Sequence, residues 1–257
     1  MNRPIGIFDS GVGGLSVLRE IRAQLPSESL IYFGDTARVP YGDKSPQTII
    51  QYSLEIAKFL FEKDIKALVV ACNTSSVHAM EALEKISPVP VIDVLRPTVD
   101  YAIQVTKGKI GVIGTKSTIK SNRYALEIQN RDPSIEVISS PCPLFVPLVE
   151  ADFLDHLATK LIVKEYLKPL VEAKVDTLIL GCTHYPFLKD LIRMEMGEDV
   201  RLCDSGEGCA AALQSLFPNA RETEAHVQYF VSDDPESFSN FASKWVKPIG
   251  DKVSLPC

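Results

Sequence analysis

The sequence contains no apolar run close to the roughly 20 residues that a membrane-spanning helix requires. Its amino terminus, MNRPIGIFDS, has no long apolar stretch after the basic residue, which argues against a secretory signal peptide. The 257 residues include no dense cluster of lysine and arginine, and their net charge is −6. These absences argue against nucleic acid and anionic membranes as partners and favour a soluble, cytoplasmic protein.

Cysteine is present, but in no common metal-binding or redox spacing. Six cysteines lie at positions 72, 142, 182, 203, 209 and 257, and none forms a C-x-x-C pair. Reduced thiols are expected rather than a disulfide framework in a chain of this length without an export signal. A zinc site built from Cys182, His184, Cys203 and Cys209 is conceivable, but its spacing fits no common zinc pattern. The sequence therefore predicts no metal site.

Short apolar runs rich in β-branched residues alternate with amphipathic helical stretches. This alternation predicts an α/β protein with parallel strands. In the first part of the chain, strands are predicted at 5–8, 30–33, 67–71 and 89–92. Helices are predicted between them at 14–24, 46–63 and 75–86.

The second part of the chain repeats the strands of the first in the same order. KIGVIGT (109–115) matches PIGIFDS (4–10), EVISS (136–140) matches IYFGD (31–35), TLILGCT (177–183) matches ALVVACN (67–73), and VRLCD (200–204) matches VPVID (89–93). We therefore expect two pseudo-symmetric lobes, each with a mainly parallel sheet flanked by helices, and an active site in the cleft between them.

The last part of the chain is expected to return to the first lobe, because the second unit already has its four strands. A helix at 207–217, a strand at 227–231 and a helix at 235–245 are predicted there. The first lobe would comprise residues 1–95 plus 206–257, and the second lobe residues 96–205.

Cys72 and Cys182 occupy matched positions at the end of the third strand of each unit. Ligands bind beyond the carboxyl ends of the strands in open parallel sheets, so both thiols are expected at one cleft. The N-terminus of a helix after each cysteine is expected to lower the thiol pKa. A thiolate that removes an α-proton, opposite a thiol that returns one, would invert a stereocentre. The pair predicts a two-base racemase or epimerase, whereas the other four cysteines are interpreted as small apolar residues.

The stretch FDSGVGGLS (8–16) follows a strand and opens a helix, and Asp35 ends the next strand. This arrangement is close to a dinucleotide-binding fingerprint. Ser16 in the sixth position and the carboxylate of Asp9 near the expected pyrophosphate count against that interpretation. The backbone N–H groups of such a loop would suit a substrate carboxylate as well as a phosphate.

Four motifs, DSGVGGLSVL, GDTARVPYG, ACNTSS and GCTHYP, closely resemble in order and spacing those of the glutamate racemases, within the aspartate/glutamate racemase family. The resemblance covers nearly the whole chain, with no departure in these motifs. It implies an isomerase with two α/β lobes, commonly a homodimer, that interconverts L- and D-glutamate without pyridoxal phosphate, another cofactor or a metal. That reaction would supply D-glutamate for peptidoglycan synthesis, and hence for cell-wall biogenesis and cell shape.

The same resemblance assigns roles to individual residues. It implies that Cys72 is the base for D-glutamate and Cys182 the base for L-glutamate. Auxiliary catalytic groups would be Asp9, His184, Glu150 and Asp35. Substrate-binding positions would be Asp9, Ser10, Pro40, Tyr41, Gly42, Asn73, Thr74, Thr115, Thr118, Thr183 and His184. Because this set contains no lysine or arginine, the substrate would be bound by directed N–H and O–H donors, and one cysteine could stay protonated.

Several alternatives stay open at this point. The protein could be an aspartate or other amino-acid racemase of the same family. A cysteine hydrolase or transferase with His78 or His184 as base would leave one strand-end cysteine without a task. A non-catalytic amino-acid-binding protein and a nucleotide-binding enzyme are the remaining candidates. Outside the hydrolase alternative, His78, His156 and His226 are interpreted as structural.

Overall fold

The computed structural model describes residues 3–218, 225–246 and 253–256. Ten strands lie in these ranges: β1 Ile5–Asp9, β2 Leu30–Gly34, β3 Ala67–Val70, β4 Val91–Asp93, β5 Lys109–Gly114, β6 Glu136–Pro141, β7 Thr177–Gly181, β8 Arg201–Cys203, β9 Val227–Val231 and β10 Val253–Ser254. They form two sheets, in the order β10-β9-β2-β1-β3-β4 and β6-β5-β7-β8. All pairs are parallel, as predicted.

Helices flank both sheets. Those in the described ranges are α1 Leu15–Gln24, α2 Pro46–Glu62, α3 Asn73–His78, α4 Met80–Ile86, α5 Leu95–Val105, α6 Lys116–Lys120, α7 Arg123–Arg131, α8 Phe145–Glu150, α9 Leu157–Glu172, α10 Lys189–Met196, α11 Ser205–Leu216 and α12 Pro235–Trp245. Two 3-10 turns lie at Tyr41–Asp43 and Tyr185–Leu188. Within the same ranges, none of the helices combines the length and apolar character needed to cross a bilayer.

The two sheets share one topology, which confirms the predicted pseudo-symmetric α/β fold. In each, the first strand of the unit lies between the second and the third, and the fourth strand follows the third. All residues of β1 and β7 are buried, as expected for central strands covered by helices on both faces. Strand β9 pairs with β2 from Leu30 to Gly34, so the end of the chain extends the first sheet.

In the first unit, the structure differs from the predicted helices in two places. The helix predicted at 75–86 is divided into α3 and α4 at Ala79, and α3 already begins at Asn73, directly after Cys72. Helix α5 was not predicted, although Asp93 marks its start by accepting the N–H groups of Leu95 and Arg96 at 2.8 Å each. Such a side-chain acceptor satisfies the free donors of a first helical turn.

Candidate active site

One small cavity lies where the carboxyl ends of the two sheets face each other. Its walls come from the segments after β1, β3, β5 and β7, together with the 3-10 turn that starts at Tyr41. The lining residues are Ser10, Val39, Pro40, Tyr41, Gly42, Cys72, Asn73, Thr74, Thr115, Val146, Cys182, Thr183 and His184. The two strand-end thiols therefore reach the same cavity from different sheets, and no lysine or arginine lines it.

The cavity is closed in this structure. Its volume is about 20 Å³, room for about one water molecule, and Cys72 and Cys182 are only 4% and 6% exposed. A hollow of about 260 Å³ lies beside it and shares Pro40, Gly42 and Val146 among its lining residues. An amino acid can reach the thiols only if the walls between the two spaces move apart.

Cys72 lies immediately before α3, at the N-cap position. Burial raises the pKa of its thiol to about 12, and the nearby carboxylate of Asp9 acts in the same direction. Hydrogen bonds from Ser75 and Ser10 oppose this shift but do not outweigh it. The expected lowering of the pKa is therefore wrong for Cys72, because desolvation exceeds the effect of the short helix that follows. In this state, Cys72 is a neutral thiol.

Cys182 has a different neighbour, the imidazole of His184. The Cys182 sulfur lies 4.0 Å from Nδ1 of His184, and Nε2 of the same ring lies 3.0 Å from Oε1 of Glu150. Burial acts to lower the pKa of His184, but Cys182 and Glu150 outweigh it and raise the pKa to about 10. The ring is therefore cationic at neutral pH and places positive charge beside the sulfur of Cys182. The expected helix directly after Cys182 is wrong, since a 3-10 turn precedes α10.

Asp9 lies behind the cavity wall rather than in it. Its carboxylate is fully buried and accepts the N–H of Gly11 at 2.9 Å and the hydroxyl of Thr183 at 3.1 Å. Burial raises its pKa, although His184 and these hydrogen bonds act against the shift. Asp9 thus joins the loop after β1 to the loop after β7 and adds negative charge near Cys72.

The glycine-rich loop after β1 is packed against the second sheet's loop instead of surrounding an open anion site. A Cβ atom on Gly13 would lie 2.4 Å from Nδ1 of His184 and 2.4 Å from Oγ1 of Thr183. The hydroxyl of Ser16 donates to the carbonyl of Thr183 at 2.9 Å. The loop is thus packed against protein atoms of the second unit, which argues against the nucleotide-binding interpretation.

Tyr41 forms a wall of the cavity and is held in place from behind by Asp35. The buried carboxylate of Asp35 accepts the hydroxyl of Tyr41, Nε of Arg38 at 2.7 Å and the hydroxyl of Ser232 at 2.8 Å. Asp35 does not line the cavity. Its contacts are those of a residue that positions Tyr41.

Three threonine hydroxyls meet at another side of the cavity. Oγ1 of Thr74 lies 3.1 Å from Oγ1 of Thr115 and 3.3 Å from Oγ1 of Thr118, and the last two lie 3.0 Å apart. Gly42 packs so closely on this group that an added Cβ would lie 2.6 Å from Cβ of Thr115. Thr118 is behind Thr74 and Thr115 and does not line the cavity.

The structure therefore brings most of the expected site residues together, but not all of them line the cavity. Asp9, Asp35, Thr118 and Glu150 support the lining residues from behind. Two lining residues, Val39 and Val146, were missed; Val39 lies within the GDTARVPYG motif, whereas Val146 carries no signal in the sequence. Among the described residues, no group of three or more potential ligands is arranged to bind a metal ion. Cys257 lies outside those residues.

Two buried thiols line one cavity, Cys72 near the carboxylate of Asp9 and Cys182 near the imidazole of His184. Such a pair of acid–base groups is suited to proton transfer. Comparison with known proteins agrees with this class. The sequence model described as Asp/Glu/Hydantoin racemase matches residues 5–213. The chain belongs to this racemase family and is an isomerase that acts on amino acids.

Individual relatives are similar over almost the full length. The chain is 50% identical over 264 residues to a glutamate racemase of Geobacter metallireducens, covering 98% of this chain and 97% of the relative. A crystal structure of a glutamate racemase isoform from Bacillus anthracis has a TM-score of 0.93 at 40% identity, covering 99% and 97% of the two chains. The glutamate racemase of Francisella tularensis in complex with D-glutamate has a TM-score of 0.91 at 38% identity, with the same coverage.

Proposed function

We propose that this protein interconverts L-glutamate and D-glutamate by proton transfer at Cα between Cys182 and Cys72, without a cofactor. The observation that carries the proposal is the presence of both thiols at one closed cavity, on segments from two pseudo-symmetric sheets. Glutamate is favoured as substrate because relatives named glutamate racemase are 43–50% identical. An aspartate racemase of Picrophilus torridus is only 18% identical with a TM-score of 0.59, which supports a common fold alone.

In the direction from L-glutamate, the thiolate of Cys182 removes the α-proton. The Cα–H bond breaks, its electron pair stays on carbon, and an S–H bond forms on Cys182. Cys72, a neutral thiol, then protonates the opposite face and becomes the thiolate. The reverse direction uses the same groups with exchanged roles. His184, held by Glu150, places positive charge beside the sulfur of Cys182 during this step.

Directed donors would bind the substrate's carboxylates. Ser10, Asn73, Thr74 and Thr183 present hydroxyl and amide groups at the cavity, and such fixed dipoles stabilise charge with little reorganisation. Pro40, Tyr41 and Gly42 would close over the substrate. Asp35 and Thr118 would act by positioning Tyr41 and the other threonines.

The biological setting is proposed from the same family membership. The enzyme would work in the cytoplasm as a homodimer and supply D-glutamate for peptidoglycan synthesis. Its first lobe would comprise residues 1–95 plus 206–257, and its second lobe residues 96–205. A relative from Escherichia coli has been crystallised with L-glutamate and an activator, UDP-MurNAc-ala, which makes glutamate the first substrate to test.

The decisive experiment incubates the purified protein with L-glutamate in deuterated water, with no cofactor added. We expect loss of optical rotation together with deuterium at Cα, and much slower turnover of aspartate and glutamine. The variants Cys72→Ala and Cys182→Ala should each lose racemisation, whereas Cys209→Ala, which changes a buried cysteine that does not line the cavity, should retain it.

Other outcomes would select the alternatives. A hydrolase would neither racemise glutamate nor exchange its α-hydrogen. A binding protein would bind glutamate without exchange, and the Cys72→Ser variant would keep that binding. Full activity in either single cysteine variant would refute the two-thiol mechanism while leaving the racemase activity itself established.

A further inference from the structure

Tyr124, in α7, is a buried residue that contacts the neighbours of both thiols. Its side chain is only 2% exposed. Its hydroxyl donates to Oδ1 of Asn73 at 2.5 Å, and Asn73 directly follows Cys72. The edge of its ring lies against Gly181, the residue before Cys182, since a Cβ on Gly181 would be 3.3 Å from Cε2 of Tyr124.

A third residue completes the contact with Asn73. The hydroxyl of Ser205, the first residue of α11, lies 3.2 Å from both the amide oxygen and the amide nitrogen of Asn73. Ser205 is 1% exposed and Asn73 is 2% exposed. The Asn73 amide is therefore held between Tyr124, in a helix that flanks the second sheet, and Ser205, at the start of the segment that leads back to the first sheet.

This arrangement determines whether the oxygen or the nitrogen of the Asn73 amide is available to a ligand in the cavity. A phenol that donates to the amide oxygen fixes the other end of Asn73 as its NH₂ group, of which one N–H donates to the hydroxyl of Ser205 and the second stays available to a ligand. Burial, followed by the charges of Asp93 and Cys182, raises the pKa of Tyr124, so the phenol keeps the proton it donates. Asn73 can then offer its second N–H to a carboxylate, while its oxygen stays directed at Tyr124.

We infer that Tyr124 is a positioning residue of the racemase site, which fixes the Asn73 amide as a donor to the substrate carboxylate when the two lobes close. This inference rests on the proposed binding role of Asn73. Tyr124 acts through Asn73 and Ser205 and through the backbone before Cys182. It belongs to none of the four motifs that identify the site, and its distance of 51 residues from Asn73 hides the contact in the sequence.

The Tyr124→Phe variant tests the inference, because it removes the hydroxyl and keeps the ring against Gly181. We expect kcat/KM for glutamate to fall about tenfold, the effect of one lost hydrogen bond at a binding group. This loss should appear mainly as a higher KM with little change in kcat, since Asn73 binds the substrate and does not transfer the proton. Thr98→Val is the control: it also removes one fully buried hydroxyl, which donates to the carbonyl of Val94 at 2.6 Å away from the cavity lining, and should stay within about twofold of the wild type.

A double-mutant cycle with Asn73→Ala separates positioning from a general loss of stability. If Tyr124 acts through Asn73, adding Tyr124→Phe to Asn73→Ala should not lower kcat/KM further. Fully additive losses would overturn the inference, as would wild-type kcat/KM in Tyr124→Phe. If Asn73→Ala turns over too slowly, the same cycle is measured on the Kd of D-glutamate by calorimetry. Wild-type kinetics in Asn73→Ala would instead refute the binding role of Asn73, and the inference would fall with it.

Discussion

The pair formed by His184 and Glu150 gives the sharpest quantitative prediction. The substitution Glu150→Gln keeps an acceptor 3.0 Å from Nε2 of His184 but removes its negative charge. Because an opposite charge within hydrogen-bond distance shifts a pKa by about 1 to 3 units, and Glu150 is partly exposed, we expect the pKa of His184 to fall by about 1 to 2 units from its value of about 10.

The assay is a proton NMR titration of the imidazole signals. The chain has four histidines, and the His184→Asn variant assigns the signal of interest by its disappearance. Glu136→Gln serves as the control, because it removes an equal charge from an exposed ion pair with Lys109. The reasoning is refuted if His184 titrates near 6.5 in the wild type, or if Glu150→Gln and Glu136→Gln titrate alike.

The same shift makes a prediction about stability. The pKa of His184 is higher in the folded state than the usual value of 6.5, so its contribution is complete below pH 6.5 and is lost as the pH rises through about 10. We expect the free energy of unfolding to fall over this interval by on the order of a few kcal/mol, since one pKa unit corresponds to about 1.4 kcal/mol. Urea unfolding at pH 7 and pH 10 measures this loss, which Glu150→Gln should move to lower pH.

Two further predictions concern packing around the thiols. Gly13→Ala should lower kcat/KM by on the order of a hundredfold or more, because its Cβ would lie 2.4 Å from Nδ1 of His184. Gly11→Ala is the control and should have a much smaller effect, since the nearest atom to its Cβ would be 3.5 Å away. Equal losses of kcat/KM in the two variants would contradict this account. Asp35→Asn should destabilise the protein by about 1 to 3 kcal/mol in urea unfolding, because Tyr41 and Arg38 lose a shared charged acceptor, and an unchanged unfolding midpoint would disprove it.

How much of this site follows from the sequence depends on how local each feature is. The ends of β3 and β7 are marked by apolar runs of strand length, and the repeat places Cys72 and Cys182 at equivalent ends, so their convergence is predictable. The loop after β1 is also recognisable as glycine-rich. The structural role of this loop is not predictable, because a glycine is needed at position 13 to make room for His184. That residue is 171 positions away in the sequence and only the fold brings it near.

The pKa of Cys72 shows why local rules fail at such a site. A helix N-terminus after a cysteine suggests a lowered pKa, and α3 does begin there. Desolvation and the charge of Asp9 reverse the direction, and both depend on the packing of separate segments rather than on the neighbouring sequence. Tyr124 is hidden for the same reason, since no pattern near residue 124 indicates that its hydroxyl meets Asn73.

The symmetry of the fold and the asymmetry of its charges have separate consequences for the proposed reaction. Matched strand ends bring both sulfurs to one cavity, but the charge nearest Cys72 is the carboxylate of Asp9, whereas the charge nearest Cys182 is the imidazolium of His184. In the proposed mechanism, this asymmetry favours proton removal by Cys182, the direction that starts from L-glutamate. The two enantiomers have equal free energies in water, so kcat/KM must be the same in both directions for the wild type and for every variant. Unequal thiols can make kcat and KM differ between the directions only in the same proportion.

Glu150→Gln should accordingly lower kcat/KM equally for L- and D-glutamate, while the ratio of the two kcat values changes because the Cys182 thiolate loses part of its stabilisation. An unchanged ratio of kcat values, with the NMR shift of His184 present, would show that the imidazole charge does not act on the proton transfer.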